Sequence, residues 1–515
     1  MKMNSVLKYG LVLGAGLLLA VLSWFLISTL FAPVPPFMKY APAGAVDTIP
    51  AADYWPTEGW QANTPEEQGF DSVKLAEELQ DLQKKEEAID SLLIIRNGRV
   101  ILDAYFYPYD GSFPHDLASV TKSFTTTLIA IAASQGKLDL DRPMVSYFPD
   151  RAIANLDERK QSMTVRDLAG MVNGMESGCL PGDESTLDAM RSQPVWVQAA
   201  LDRKMEGEPG DHFCYDSPGM HLLSAILQGT TGMTEFEFAR QNLFEPLGIK
   251  DVYWESDPQG YTKGWGDLHL KPRDAAKLGY LWLHQGMWDG KQIVPADWVT
   301  DAVKVHSKTG ERENYGYGWW VAENGYAAIG RGTQNIRVYP ALNTIVVVTS
   351  ADFDYARLGR ILDRALVDPD KPLPPNPEGA AKLNAVLAEL ARGPDGEPAA
   401  LLTETAQQIS GRTFLCQPNP ANLTNLSFDF EDPEAVRLTM KLNNMDVVLP
   451  IGLDGRYRVS QEGTGTRGQW KDSQTFVFNI FDIGELTREV QFNGNQLSIT
   501  APEAKLTITC QMQDQ

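Results

Sequence analysis

An α+β body followed by an antiparallel β-barrel or sandwich is the architecture this sequence predicts, and three observations predict it. A strongly alternating hairpin pattern comes early, a long helix-rich stretch comes next, and strand patterns return only near residue 316. Strands separated by helices in this way suit a sheet assembled from both ends of a domain. The proline-dense stretch Asp368-Pro-Asp-Lys-Pro-Leu-Pro-Pro-Asn-Pro377 then separates this body from the C-terminal part of the chain. From Gly411 onward only short alternating runs remain, divided by Gly, Asn and Asp. That pattern reads as an all-antiparallel second unit.

The chain opens with Lys2 and Lys8, after which Leu11 to Ala32 carry no charge. This matches the ~20 apolar residues needed to cross a bilayer. Leu30-Phe-Ala32 is a poor small-x-small cleavage site, so residues 1–32 read as an uncleaved transmembrane anchor rather than a cleaved signal. Lysines before the segment, and Asp47 and Asp53 after it, place the N-terminus in the cytoplasm. The expected location is therefore the cell envelope, with the folded body on the periplasmic or extracellular side. Pro33, Pro35, Pro36, Pro42, Pro50 and Pro56 make residues 33–58 a stiff stalk.

A net charge of −22 and a pI near 4.7 argue against nucleic acid, which needs a basic face. The six histidines fall at no ligand spacing and no C-x-x-C is present, so neither a metal nor another cofactor is expected. Export makes cysteine pairing reasonable. Cys179 and Cys214 lie in the first unit, Cys416 and Cys510 near the ends of the second, and within-unit pairing is the simplest of three connectivities. Four buried free thiols are the alternative.

The body spans 59–368. Val73, Leu75, Leu79 and Leu82 give Ser72 to Lys85 one apolar helical face. Ser91-Leu-Leu-Ile-Ile-Arg and Arg99-Val-Ile-Leu-Asp-Ala-Tyr flank Asn97-Gly98, a strong hairpin signal. Thr164-Val-Arg-Asp167 reads as a capping box. Helices are expected near Pro218 to Thr230, Glu235 to Leu243 and Arg273 to His284. Strands are expected at Gly316 to Val321, Gln334 to Tyr339 and Thr344 to Thr349.

Chemistry concentrates at Leu117-Ala-Ser-Val-Thr-Lys122, which opens the apolar run to Ala133. Ser119 and Lys122, at i and i+3, share a helix face, so the amine reaches the hydroxyl. A lysine kept from water is more readily neutral, and a neutral amine can serve as base. First-turn amides and the helix dipole favour the charge that develops when the serine attacks a carbonyl. The tetrapeptide alone is weak evidence, since S-x-x-K recurs at Ser5/Lys8 and Ser134/Lys137.

Several further phrases stand in one order along the chain: Pro65-Glu-Glu-Gln-Gly-Phe70, Gly136-Lys-Leu-Asp-Leu-Asp141, Phe213-Cys-Tyr-Asp-Ser217, Phe244-Glu-Pro-Leu-Gly248, Arg273-Asp-Ala-Ala276 and Tyr315-Gly-Tyr-Gly-Trp-Trp320. With Ser119-Val-Thr-Lys122 they resemble the serine β-lactamase-like hydrolases, a group that includes class C β-lactamases, penicillin-binding proteins, carboxylesterases and aminohexanoate-dimer (nylon-oligomer) hydrolases. The resemblance covers about Thr64 to Arg360 and is closest to the last group. It implies a β-lactamase/transpeptidase-like domain, an antiparallel sheet plus a helical region, with Ser119 as nucleophile, Lys122 as base and Tyr215 as proton relay. Ser217 stands where β-lactamases carry the asparagine of Tyr-x-Asn, which fits the nylon-hydrolase type and weakens a β-lactamase reading. The third element is read as Arg331-Gly332-Thr333-Gln334, with the amides of Ser119 and Gln334 as oxyanion hole and Ser217, Arg331, Gly332 and Thr333 toward substrate. Lys308-Thr-Gly310 is set aside, because it precedes Tyr315-Gly-Tyr-Gly and runs into a polar loop, whereas the family's element opens a strand after that phrase, and a strand edge at Arg331 can aim rigid donors at a carbonyl.

Residues 369–408 form a linker and a helix from Glu378 to Arg392, and 409–515 the second unit, which resembles the lipocalin-like domains appended to some of these hydrolases. The expected function is an exported serine hydrolase acting on a small ester or amide, with the membrane as its only other partner. A cell-wall D,D-peptidase and a non-catalytic binder are the alternatives.

Overall fold

The computed structural model describes residues 52–513, apart from 180–182, 311–312, 398–401 and 443–444. The expected anchor and most of the stalk lie outside the described residues. Among the described residues no helix is long and apolar enough to cross a membrane.

The body is built on one eight-stranded sheet. Its strands are β1 (Gln61–Ala62), β2 (Ala88–Arg96), β3 (Arg99–Tyr105), β4 (Asn314–Tyr315), β5 (Trp320–Ala322), β6 (Gly325–Ile329), β7 (Asn335–Tyr339) and β8 (Thr344–Asp352), in the order β1-β3-β2-β8-β7-β6-β5-β4. The β2–β3 hairpin turns on Asn97 and Gly98, both at positive φ (47° and 72°), as a two-residue primed turn requires. Central strand β2 pairs antiparallel with β8 from Arg96↔Thr344 onward, so the two ends of the body meet in one sheet. The short β1 runs parallel to β3, an exception to the antiparallel pattern.

Two helical layers cover this sheet. Helix α1 (Ser72–Lys84) is capped by Asp71, whose carboxylate accepts from Val73 N at 2.9 Å and Lys74 N at 3.1 Å. It packs with α5 (Tyr355–Ala365) and α6 (Pro377–Leu390). On the opposite face lie α2 (Thr121–Ser134), α3 (Ser217–Thr231) and α4 (Pro272–Leu283). Gly279 of α4 lets the helix sit close to the sheet, since a Cβ there would come within 2.9 Å of Ile345 and 3.0 Å of Ile336. Every residue of α2 from Thr121 to Ala132 is buried, so its hydroxyls need internal partners. Ser123, Thr125 and Thr127 donate to Gly318 O, Gly264 O and Ser123 O at 2.5, 2.7 and 2.6 Å.

Some expected elements are corrected. The run Gly316 to Val321 is not a single strand: Gly316–Trp319 bends, and pairing resumes at Trp320. Gly318 makes the bend with φ 77°, where its missing side chain leaves room for Thr126. Strand β6 and helix α5 are additions to the expected elements; α5 does carry a helical apolar spacing, at Leu358, Ile361, Leu362 and Ala365, all buried. Helix α6 packs on α1 through Gly379 beside Ser72, so it lies against the body.

The second unit is a closed barrel, not a sandwich. Nine strands, Thr413–Cys416, Leu423–Asp429, Ala435–Leu442, Met445–Gly452, Gly465–Trp470, Thr475–Asp482, Gly484–Asn493, Gln496–Ala501 and Leu506–Met512, form a ring that closes at Gly452↔Arg467. Phe414, Phe428, Phe430, Phe476, Phe478 and Phe492 fill the interior. Cys416 and Cys510 face each other across neighbouring strands and are bonded, with Cα atoms 3.9 Å apart.

Candidate active site

The turn Ala118–Val120 feeds directly into α2, which puts Ser119 at the helix's N-terminal end and leaves it half-buried. Ala118 holds φ 46°, a left-handed conformation that costs an alanine of order 1 kcal/mol. Two bonds maintain it: Ala118 N donates to Asp116 Oδ1 at 2.8 Å, and Thr121 Oγ1 donates to Ala118 O at 2.6 Å. One helical turn on, Lys122 is 2 % exposed. Its Nζ lies 2.8 Å from Ser119 Oγ and 2.9 Å from Trp265 O. The expected i, i+3 encounter is therefore present, and the Trp265 carbonyl fixes where the amine points. At the decoy, Ser134 ends α2 and spends its hydroxyl on Ile131 O.

Tyr215 comes from the loop before α3, which is secured on several sides. Its ring stacks on Trp320 with centroids 6.2 Å apart, and its carbonyl accepts from Ser177 Oγ at 2.6 Å. Cys214, one residue earlier, is bonded to Cys179 as within-unit pairing predicts. Asp216, one residue later, is 1 % exposed and held by Arg203 at 2.6 and 3.0 Å and by Asn173 Nδ2 at 2.8 Å. Lys122 Nζ sits over the Tyr215 ring, 4.8 Å from its centroid. Ser217 is buried, and among the described residues its Oγ has no hydrogen-bond partner.

The third stretch is a hairpin turn between β6 and β7 rather than the opening of a strand. Gly332 and Thr333 stand at φ 74° and 70°, and Thr333 Oγ1 donates to Phe353 O at 2.7 Å. The residue seated against the nucleophile is Gly330, where a Cβ would lie 3.0 Å from Ser119 N. Gln334 is buried with its side chain on β8, accepting from Ser350 N at 3.1 Å, while its carbonyl accepts from Gly330 N at 2.8 Å. Arg331 is exposed and has no ion-pair partner among the described residues. Lys308 stands exposed in a loop.

Four features of the site escape sequence reasoning: the Trp265 carbonyl, Asp116, Gly330 and the Trp320 ring. Trp320 closes the phrase Tyr315 to Trp320, so its position carries a signal. The carbonyl carries none. Behind the turn, His115 Nε2 meets Asp90 Oδ2 at 2.8 Å, both side chains buried. Below it, Glu235 is fully buried near Gly264, and burial pushes its carboxyl up to about 7. Thr125 and Ser224 give their protons to Gly264 O and Thr262 O, and among the described residues neither Glu235 carboxyl oxygen has a hydrogen-bond partner. Among the described residues no group of three or more His, Cys, Asp or Glu could hold a metal ion.

The sequence matches the family described as Beta-lactamase over residues 79–371, more than half of the chain. It is similar to an uncharacterised protein of Alkalihalophilus pseudofirmus, at 26% identity over 289 residues covering 49% of this chain and 76% of that one. It is also similar to the 6-aminohexanoate-dimer hydrolase of Paenarthrobacter ureafaciens, at 23% identity over 320 residues covering 56% and 79%. Among solved structures it is similar to the octameric penicillin-binding protein homologue from Pyrococcus abyssi, with TM-score 0.43 and 17% identity, covering 84% of this chain and 98% of that one. The chain belongs to the beta-lactamase family and is a serine hydrolase of that superfamily, which includes esterases, amidases and penicillin-binding proteins.

Proposed function

We propose that this protein is an exported, membrane-anchored hydrolase that cleaves a small ester or amide through an acyl-enzyme on Ser119. The observation that carries the reading is the 2.8 Å approach of Lys122 Nζ to Ser119 Oγ on a buried helix, with the amine steered by Trp265 O. Lys122, in its neutral form, takes the Ser119 proton as Oγ bonds to the substrate carbonyl carbon. The oxygen that becomes negative is met by the Ser119 amide and by the N–H of Gln334, since the N–H of Gly330, which abuts Ser119, is already given to Gln334 O. Tyr215 passes the proton to the departing alkoxide or amine as the carbonyl carbon's bond to it breaks. Water then attacks the acyl carbon, the same groups take and return its proton, and Ser119 is released.

Ser217, Arg331, Gly332 and Thr333 border the space where the substrate's remainder would lie. The likeness to a hydrolase named for 6-aminohexanoate dimers supports a short linear amide as one substrate class. Export rests on the uncharged run Leu11 to Ala32. The test is turnover of p-nitrophenyl butyrate, 6-aminohexanoate dimer and a peptidoglycan D-Ala-D-Ala peptide by the wild type and Ser119→Ala. Hydrolysis of the ester or the dimer that is lost in a folded Ser119→Ala supports the reading. Preference for the D-Ala-D-Ala peptide would move the protein to the cell-wall peptidases, and activity surviving Ser119→Ala would sink it.

A further inference from the structure

We infer that Ile483, at the tip of a barrel hairpin, forms a wall of the Ser119 cleft and sets how long an acyl group the enzyme accepts. The inference rests on reading Ser119 as the nucleophile. Ile483 lies between the strands Thr475–Asp482 and Gly484–Asn493 and is half-buried. Its covered side packs on the turn that borders the nucleophile: a Cβ at Gly332 would lie 2.5 Å from Ile483 Cγ2. Gly332 is two residues from Gly330, which abuts Ser119 N. Two residues span at most ~7 Å, so with the two contact distances the isoleucine stands within roughly 12 Å of the Ser119 amide.

Ile483 is not what fastens the barrel to the body. That work is done along the loop before the nucleophile and the strand beside it. Tyr457 N donates to Tyr107 Oη at 2.6 Å, His269 Nδ1 meets Glu462 O at 3.0 Å, and Gly463 packs against Pro114 O. Phe481 adds a ring contact to Tyr109, which in turn contacts His115. With docking secured there, a branched apolar side chain delivered to the Arg331–Thr333 turn has a different consequence. It presents a fixed hydrocarbon surface to anything that extends past Gly332, and the size of the residue at 483 decides how far a chain can extend. A hydrophobic pocket discriminates chains differing by several methylenes by roughly 10–200-fold or more.

The experiment uses the full chain and measures phosphonylation of Ser119, with loss of fluoride, so that it does not depend on the natural substrate. Ethyl and octyl fluorophosphonates are reacted with wild type, Ile483→Ala, Ile483→Trp and Ile483→Val. The second-order rates of adduct formation are read by intact mass. The expected result is an octyl/ethyl rate ratio raised at least tenfold by Ile483→Ala, raised less by Ile483→Val and lowered at least tenfold by Ile483→Trp. Leu486→Ala, an exposed position further along the same hairpin, leaves the ratio where it was. Ratios within twofold of wild type in all three Ile483 variants would overturn the inference, as would an equal shift in Leu486→Ala. Ile483→Val keeps the test open should the larger changes prevent folding. Wild-type protein that no probe phosphonylates at Ser119 would instead overturn the hydrolase mechanism on which the inference stands.

Discussion

Lys122 Nζ faces the flat side of the Tyr215 ring, 4.8 Å from its centroid, while the Tyr215 hydroxyl has no hydrogen-bond partner among the described residues. The aromatic body and the phenol group therefore have separable roles. Tyr215→Phe keeps the ring between Lys122 and Trp320 and removes only the proton carrier. It should lower kcat about 10²–10⁴-fold with little change in Tm. Lys122→Ala should lose at least as much. Steady-state kinetics with calorimetry checks both, and a Tyr215→Phe enzyme with near-wild-type kcat would contradict the relay.

The Cys179–Cys214 bond closes a loop of sequence separation 35 immediately before Tyr215. Both sulfurs also lie near Ser177 O, and Ser177 Oγ holds the Tyr215 carbonyl. Breaking the bond should loosen Tyr215 before it unfolds the body, lowering kcat about tenfold. Cys214→Ser, Cys179→Ser and thiol-reduced wild type should fall by the same factor. Full activity after reduction and alkylation of both thiols would rule this out.

Glu235 links stability to pH. Burial raises its carboxyl to about 7 from an ordinary value near 4.5. The folded state therefore keeps a proton that the unfolded chain releases between these values. Stability from this group is whole below pH 4.5 and is lost as pH rises through 7, a difference of about 3 kcal/mol. Urea denaturation at pH 5 and pH 8 should show Glu235→Gln losing less stability than wild type over that interval. An identical pH dependence in both proteins would show that Glu235 does not titrate as described.

Arg331 stands exposed one residue from Gly330, which abuts Ser119 N, and has no acidic partner among the described residues. A planar, permanently charged fork in that place suits a carboxylate on the substrate. Arg331→Ala should raise KM several-fold for carboxylate-bearing esters and leave neutral esters nearly unchanged. Equal losses on both would assign the arginine no part in recognition. Efficient cephalosporin hydrolysis by the wild type would contradict the weak β-lactam handling expected from Ser217 in place of an asparagine.

Much of the fold and the site is legible in the sequence because local pattern and tertiary outcome agree. Asn97-Gly98 between alternating strands specifies the hairpin, and the spacing of Ser119 and Lys122 specifies their meeting on a helix. The features that escape depend on contacts between distant segments. Trp265 O steers Lys122 across 143 residues of sequence, and no residue type announces a carbonyl. The strain at Ala118 has no sequence signal, because alanine has no preference for φ 46° and bonds from Asp116 and Thr121 help hold it there. Arg331 to Gln334 reads as a strand edge. Two consecutive left-handed residues, one of them a threonine, make it a tight turn instead. In the barrel, Gly465–Trp470 and Gly484–Asn493 lack clean alternation, since charged and small residues fill positions that ring closure decides.

The most direct test of the central claim is to locate the adduct after treating the full chain with a fluorophosphonate. Peptide mass spectrometry should place a single modification on Ser119, absent from a folded Ser119→Ala protein and slowed by orders of magnitude in Lys122→Ala. No adduct on the wild type, or an adduct that persists in Ser119→Ala, would contradict the account.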